Sequence, residues 1–250
     1  MMGRLRAMRE PLKYVQGRDA LLKFHEEMGY MGKRWLFVCS NSGYKACHDK
    51  IEKSFEGLDD YRRYEIFGGI SSNGEINKMK AIVEQDNIDT VVAVGGGSAV
   101  DTAKATAYYS GKHIVIVPTV AATDAPCTGL SVIYNDDHSF DKYLFYPTNP
   151  DAVMVDTTVI ANAPVKFLIA GMGDALGTYF EGRASIRTNP QALRVRASQE
   201  QVRHLLVFAM TRSVNTASRL SRLVRYTQLL PRLKISLKLT FTFRVSAPIT

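Results

Sequence analysis

Residues 89–134 read DTVVAVGGGSAVDTAKATAYYSGKHIVIVPTVAATDAPCTGLSVIY. Residues 91–94 are a short apolar run between polar flanks, the pattern of a strand buried on both faces. Gly95, Gly96 and Gly97 follow, and without a Cβ their N–H groups can approach a diphosphate closely. Ser98 stands where a helix would begin, with a hydroxyl able to cap it or to contact phosphate. A helix is expected over 99–109, with Asp101 in its first turn, where a carboxylate complements the dipole. Residues 113–119, HIVIVPT, read as a second buried strand ended by Pro118, and lead into Thr123-Asp124-Ala125-Pro126-Cys127. Two consecutive strands therefore deliver a phosphate-type loop and an acidic loop to one edge of a sheet, as α/β proteins build nucleotide sites. The glycine run is not a G-x-G-x-x-G/A fingerprint, because Val100 stands three residues after Gly97. Taken alone it also reads as a tight turn with no ligand.

The flanking sequence agrees with an α/β fold. Residues 35–40, WLFVCS, are expected as the first strand, and 46–55 as a helix that leaves His48, Asp49 and Lys50 in solvent. A short strand over 64–67 precedes Gly68-Gly69. Ser72-Asn73-Gly74-Glu75 resembles a helix start, and Ile76, Met79, Ile82 and Val83 form an apolar stripe at helical spacing. Strands alternating with helices of this length imply a parallel sheet with right-handed crossovers. No internal repeat and no apolar run long enough to span a bilayer is present. Cys39, Cys47 and Cys127 are scattered without metal-ligand spacing, which predicts reduced thiols in a cytoplasmic setting. The start, MMGRLRAMRE, is read as frayed.

Composition divides the chain. The 250 residues carry a net charge of +8. Residues 186–250 hold ten Arg and two Lys against the single acid Glu200, so they contribute +11 and the preceding residues −3. All 18 glycines lie at or before Gly182, and the last aspartate is Asp174. A segment so poor in Gly and Asp is atypical of a globular domain. It reads as a basic helical region for nucleic acid or an acidic partner, as a membrane-surface segment, or as out-of-frame sequence, the abrupt shift favouring the last.

Four motifs occur in the order of one family: GGGSAVDTAKA at 95–105, PTVAATDAPCTGLSVIY at 118–134, NPDAVMVDT at 149–157 and GMGDALGTYFE at 171–181. KYVQG at 13–17 and FGG at 67–69 also fit. These stretches resemble the iron-containing (group III) alcohol dehydrogenases, closely its glycerol dehydrogenase branch, over residues 11–185. The resemblance implies a Rossmann-like α/β domain at 1–160, the beginning of a helical metal-binding domain at 161–185, and leaves 186–250 as a basic tail of uncertain structure.

It also implies the chemistry. Members of the family pass hydride from an alcohol to a nicotinamide ring while a divalent metal, zinc in this branch, polarises the alcohol oxygen. By resemblance Gly97, Ser98 and Asp101 fall at the pyrophosphate, with Gly95 and Gly96 shaping the loop. Thr119 falls at the adenosine part, and Thr128, Leu130 and Tyr134 line the nicotinamide side. Asp124 matches the substrate-binding residue; on its own it also reads as an Asx-turn before Pro126. Asp174 matches the metal-binding aspartate, with a helix N-cap as its alternative. Three protein ligands are expected at catalytic zinc, and His204 is the only histidine after Asp174, so the metal site is read as incomplete and the chain as weakly active or inactive. Ser40 stands where the family often has the Asp that repels a 2′-phosphate; NAD is still expected over NADP. The implied partners are a small polyol and further copies of the chain. Neither a membrane nor nucleic acid is the expected partner, although a non-catalytic nucleotide-binding remnant with a nucleic-acid-binding tail stands as the alternative. A body of this length would also expose the face that packs on the helical half, which predicts low solubility.

Overall fold

The computed structural model describes residues 10–188; the basic tail lies outside them from residue 189. Six parallel strands form one sheet: β1 (Lys13–Gly17), β2 (Arg34–Cys39), β3 (Tyr61–Ile66), β4 (Thr90–Gly95), β5 (His113–Pro118) and, after a hairpin, β8 (Ala152–Asp156). Their order is β1-β8-β5-β4-β2-β3. The hairpin pairs β6 (Leu130–Tyr134) with β7 (Phe140–Phe145), antiparallel. Helices α1 (Phe24–Met28), α2 (Asn41–Ser54), α3 (Asn73–Gln85), α4 (Gly97–Ser110), α5 (Thr157–Asn162) and α6 (Val165–Thr188), with short 3-10 turns at Ala20–Lys23, Gly29–Met31 and Ala125–Cys127, complete the described chain. This is the Rossmann-like α/β architecture that the family resemblance implied.

Alternation along the strands sorts the core into two faces. Leu36, Val38, Val91, Ala93, Ile116, Val153 and Val155 pack beneath α3 and α4, where the Met79, Ile82 and Val83 stripe is buried. Trp35, Phe37, Val92, Val94, Val115 and Met154 pack on the other face against Phe24, Met28, Ile51 and Phe55. Burial on both faces is why β4 and β5 read as continuous apolar runs rather than alternating ones. Helix α4 is buried nearly all round because the hairpin covers the side turned away from the sheet, and its Ala and Thr residues suit that close double packing.

Several expectations require correction. The strand at Trp35 is the second, because β1 precedes it and pairs with β8 from Lys13↔Ala152 to Gly17↔Asp156. Helix α2 begins five residues earlier than expected, capped by Ser40, whose Oγ accepts from Gly43 N at 3.0 Å. Lys50 is not left to solvent: its Nζ reaches Asp156 Oδ2 at 2.9 Å and Asp19 Oδ1 at 3.0 Å. His48 lies against the rings of Tyr44 and Tyr64, and only Asp49 of the three is fully exposed. Helix α4 starts at Gly97 with Gly96 as its N-cap, so Ser98 does not cap it, and Asp101 lies beyond the first turn. Glycines 171 and 173 lie within α6, which runs unbroken through Asp174. The N-cap reading of Asp174 is thereby removed.

Candidate functional site

After β2 the chain turns to β3 on one side; after β4 it turns to β5 on the other. The crevice outside the carboxyl ends of β2 and β4 is thus the topological switch point of the sheet, where open α/β sheets bind ligands. Ser40 and the Gly95–Gly96–Gly97 run flank it, one at the end of each strand. Two helix N-termini, those of α2, capped by Ser40, and α4, which has no side-chain cap, end at this crevice, and the positive ends of their dipoles favour an anion.

The glycine loop is closely fitted. A Cβ on Gly95 would come within 2.7 Å of Ala99 Cβ and 3.1 Å of Ser40 Oγ. On Gly96 it would meet Val120 Cγ2, and on Gly97 Thr123 Cγ2, each at 3.4 Å. The loop therefore faces the segment that follows β5, and Thr119 N donates to Gly95 O at 3.0 Å. Gly96 offers α4 no side-chain cap, and Ser98 beside it is exposed, as a cradle for an anionic group requires. These residues fit a dinucleotide diphosphate.

The loop between β5 and β6 carries Asp124. Its backbone carbonyl accepts from Cys127 N at 2.9 Å, closing a short 3-10 turn over Ala125–Cys127, and its side chain makes no cap to that turn. Thr123 Oγ1, not the Asp124 carboxylate, accepts from Ala125 N at 3.4 Å. Thr128 Oγ1 donates to Ala125 O at 3.4 Å. Cys127 is buried, and burial pushes its thiol above the ordinary range.

Asp101 and the neighbouring Lys104 turn away from the glycine loop. The Asp101 carboxylate is buried and takes an N–H from Val132 at 3.2 Å through Oδ2, while its Oδ1 lies 3.2 Å from Lys104 Nζ. Burial pushes this carboxyl above its usual range, against the pull of Lys104. Tyr134 lies at the far end of β6, where its N–H donates to Ser71 O at 2.9 Å. Asp174 lies half-buried on α6, three residues beyond Gly171. A Cβ on Gly171 would strike the Ala121 carbonyl, 2.9 Å from its carbon, so α6 rests on the backbone of the β5–β6 loop.

Ser40, the glycines, Thr119 and the Asp124 loop are thus gathered at one sheet edge. Thr128 and Leu130 join them through α4, while Tyr134 and Asp174 belong to neighbouring elements. Two participants escape a reading of the sequence. Gly43 lets α2 close against Val94 O, a carbonyl its Cβ would strike. Lys104 gathers the β5–β6 loop beneath α4. Gly43 has no local sequence signal, and Lys104, although inside the 95–105 motif, has a role defined only by its contacts with a distant element. Among the described residues no three His, Cys, Asp or Glu side chains are disposed to hold a metal ion, so Asp174 by itself does not make a zinc site. No described helix is long and apolar enough to cross a membrane.

Residues 11–157 match the iron-containing alcohol dehydrogenase family. The glycerol dehydrogenase of Escherichia coli is 42% identical over 183 residues, covering 73% of this chain and 50% of that protein. The glycerol dehydrogenase of Thermotoga maritima is 44% identical over 181 residues, covering 70% and 47%. The crystal structure of a probable glycerol dehydrogenase from Sinorhizobium meliloti superposes with a TM-score of 0.83 at 32% identity, covering 96% of this chain and 66% of that one. The chain spans about half the length of the curated relatives it matches.

Proposed function

Because the chain belongs to the iron-containing alcohol dehydrogenase family, an oxidoreductase lineage, we propose that residues 10–188 contain the cofactor-binding part of an NAD-dependent glycerol dehydrogenase. The observation that carries this reading is the glycine loop at the switch point, closely fitted against Ser40, Val120 and Thr123. The bound dinucleotide supplies a nicotinamide ring that accepts hydride from the carbinol carbon. The chain's own residues do the rest. N–H groups at the start of α4 meet the diphosphate, and Gly95–Gly97 let it approach. Ser40 offers a hydroxyl oxygen to the adenosine ribose; its lack of charge makes the preference for NAD over NADP weaker than an aspartate would. Thr119 borders the adenosine part, Thr128, Leu130 and Tyr134 the nicotinamide side, and Asp124 accepts hydrogen bonds from substrate hydroxyls and so orients the polyol.

Within this reading 1–160 is the dinucleotide domain, 161–185 opens the helical domain, and 186–250 are the basic tail. The working protein is a cytoplasmic homo-oligomer. Asp174 is the residue that would meet zinc, but the described residues do not complete a site, so no step is routed through the metal. A polypeptide of these 250 residues accordingly binds NAD with little or no turnover.

Calorimetric titration of the 250-residue chain with NAD tests the reading. Binding in the micromolar range with glycerol oxidation near background, zinc added or not, is the expected result. Absence of NAD binding refutes the cofactor role; zinc-stimulated oxidation refutes the claim of weak turnover.

A further inference from the structure

Lys104 is an ammonium with no access to bulk water. The residue is 3% exposed. Its Nζ donates to the carbonyls of Ala125 at 2.9 Å, Thr128 at 3.3 Å and Leu130, and pairs with Asp101 Oδ1 at 3.2 Å. An ammonium has three N–H donors, and two carbonyls of the β5–β6 loop and that of the first residue of β6 take them. Around this anchor Ser131 Oγ donates to Asp101 O at 3.1 Å, and Tyr146 OH donates to Ser131 Oγ at 2.8 Å. A loop conformation that withdrew those carbonyls would strand a buried charge, so the lysine selects one conformation of residues 125–132.

The same helix begins at the glycine cradle. Lys104 lies seven residues after Gly97, roughly 10 Å along the α4 axis at the helical rise. One rigid element therefore fixes both the cradle and the loop bearing Thr128 and Leu130. We infer that Lys104 is a positioning residue that holds the nicotinamide-side loop at a set distance from the diphosphate cradle. The inference rests on the NAD reading above.

The test compares NAD with ADP-ribose, which keeps the adenosine diphosphate end and lacks the nicotinamide ring. Calorimetry on the full chain gives both dissociation constants for the native protein and for Lys104→Met. NAD affinity is expected to fall at least tenfold in the variant, while ADP-ribose affinity changes less than twofold. Equal loss for both ligands overturns the inference and leaves the NAD reading standing. Failure of the native chain to bind ADP-ribose at all overturns the NAD reading and this inference with it. Should Lys104→Met not fold, amide hydrogen exchange on the native chain decides. NAD is expected to slow exchange at Leu130 and Val132 more than ADP-ribose does, and equal protection by the two ligands overturns the inference.

Discussion

Replacing Gly171 by alanine tests whether α6 is seated on the β5–β6 loop. In an exposed helix interior, Gly→Ala gains about 1 kcal/mol from helix propensity. At Gly171 the new methyl would strike the Ala121 carbonyl, lying 2.9 Å from its carbon and 3.3 Å from Ala122 Cα, and backbone on both sides cannot rotate away. Overpacking of this kind costs typically 1–3 kcal/mol, and a backbone target puts it at about 3. The net expectation is destabilisation by about 2 kcal/mol. Gly173, two residues on, is the internal control: a Cβ there meets nothing within 4 Å, so Gly173→Ala should gain about 1 kcal/mol. At about 2–4 °C per kcal/mol for a chain of this size, the two variants should melt roughly 6–12 °C apart, in opposite directions from the native protein. Urea unfolding followed by circular dichroism reads the same difference as a shift in midpoint at constant slope. Two alanine variants that stabilise equally would refute the reasoning, because α6 would then not rest on the loop.

Three further outcomes are expected. Gly95→Ala forces a methyl within 2.7 Å of Ala99 Cβ, so urea unfolding should show a loss of about 1–3 kcal/mol, and NAD titration a weakened affinity. Phe24→Ala empties the centre of the ring cluster formed with Trp35, Phe37 and Phe55 and should cost about 3–5 kcal/mol by the same urea assay. The Arg63 guanidinium and the Tyr61 hydroxyl hold the Asp86 carboxyl below its usual value. Its stabilising contribution is therefore complete above the ordinary aspartate pKa of about 4 and is lost as pH falls through the lower, folded value. Thermal melts between pH 5 and pH 2 should show a flatter decline for Asp86→Asn than for the native chain, and parallel curves would contradict the assignment.

What the sequence made legible is what local chemistry determines. The β4–glycine–α4–β5 unit is written in consecutive residues, and the stripe of α3 follows from spacing alone. Its start is equally local, since Ser72 Oγ accepts from Glu75 N at 3.3 Å. Other features depend on partners far along the chain. KYVQG has no apolar run, and β1 exists because β8 presents a free edge to it. Lys50 looked solvated because its partners Asp156 and Asp19 stand 106 and 31 residues away. Gly171 and Gly173 lower helix propensity, yet α6 runs through both. Packing overrode propensity there, and the first of those glycines is the reason the helix can approach the loop. The glycine loop could be read as a cradle, yet the turning of Asp101 towards Val132 could not, because the hairpin that receives it is folded over α4 from 30 residues downstream.

The pairing of β1 with β8 has a consequence for the order in which the molecule assembles. Lys13 and Ala152 face each other across about 140 residues, whereas β2 to β5 find their neighbours within a few tens of residues. At synthesis rates of about 5–20 residues per second, the first strand waits roughly 7–28 seconds for its partner to be made. During that interval the central strands can close around their helices, and β1 is left to dock last, as the clasp of a sheet already formed. A ribosome-stalled chain ending before Ala152 should therefore hold a protected β4–β5 core beside a first strand still open to protease.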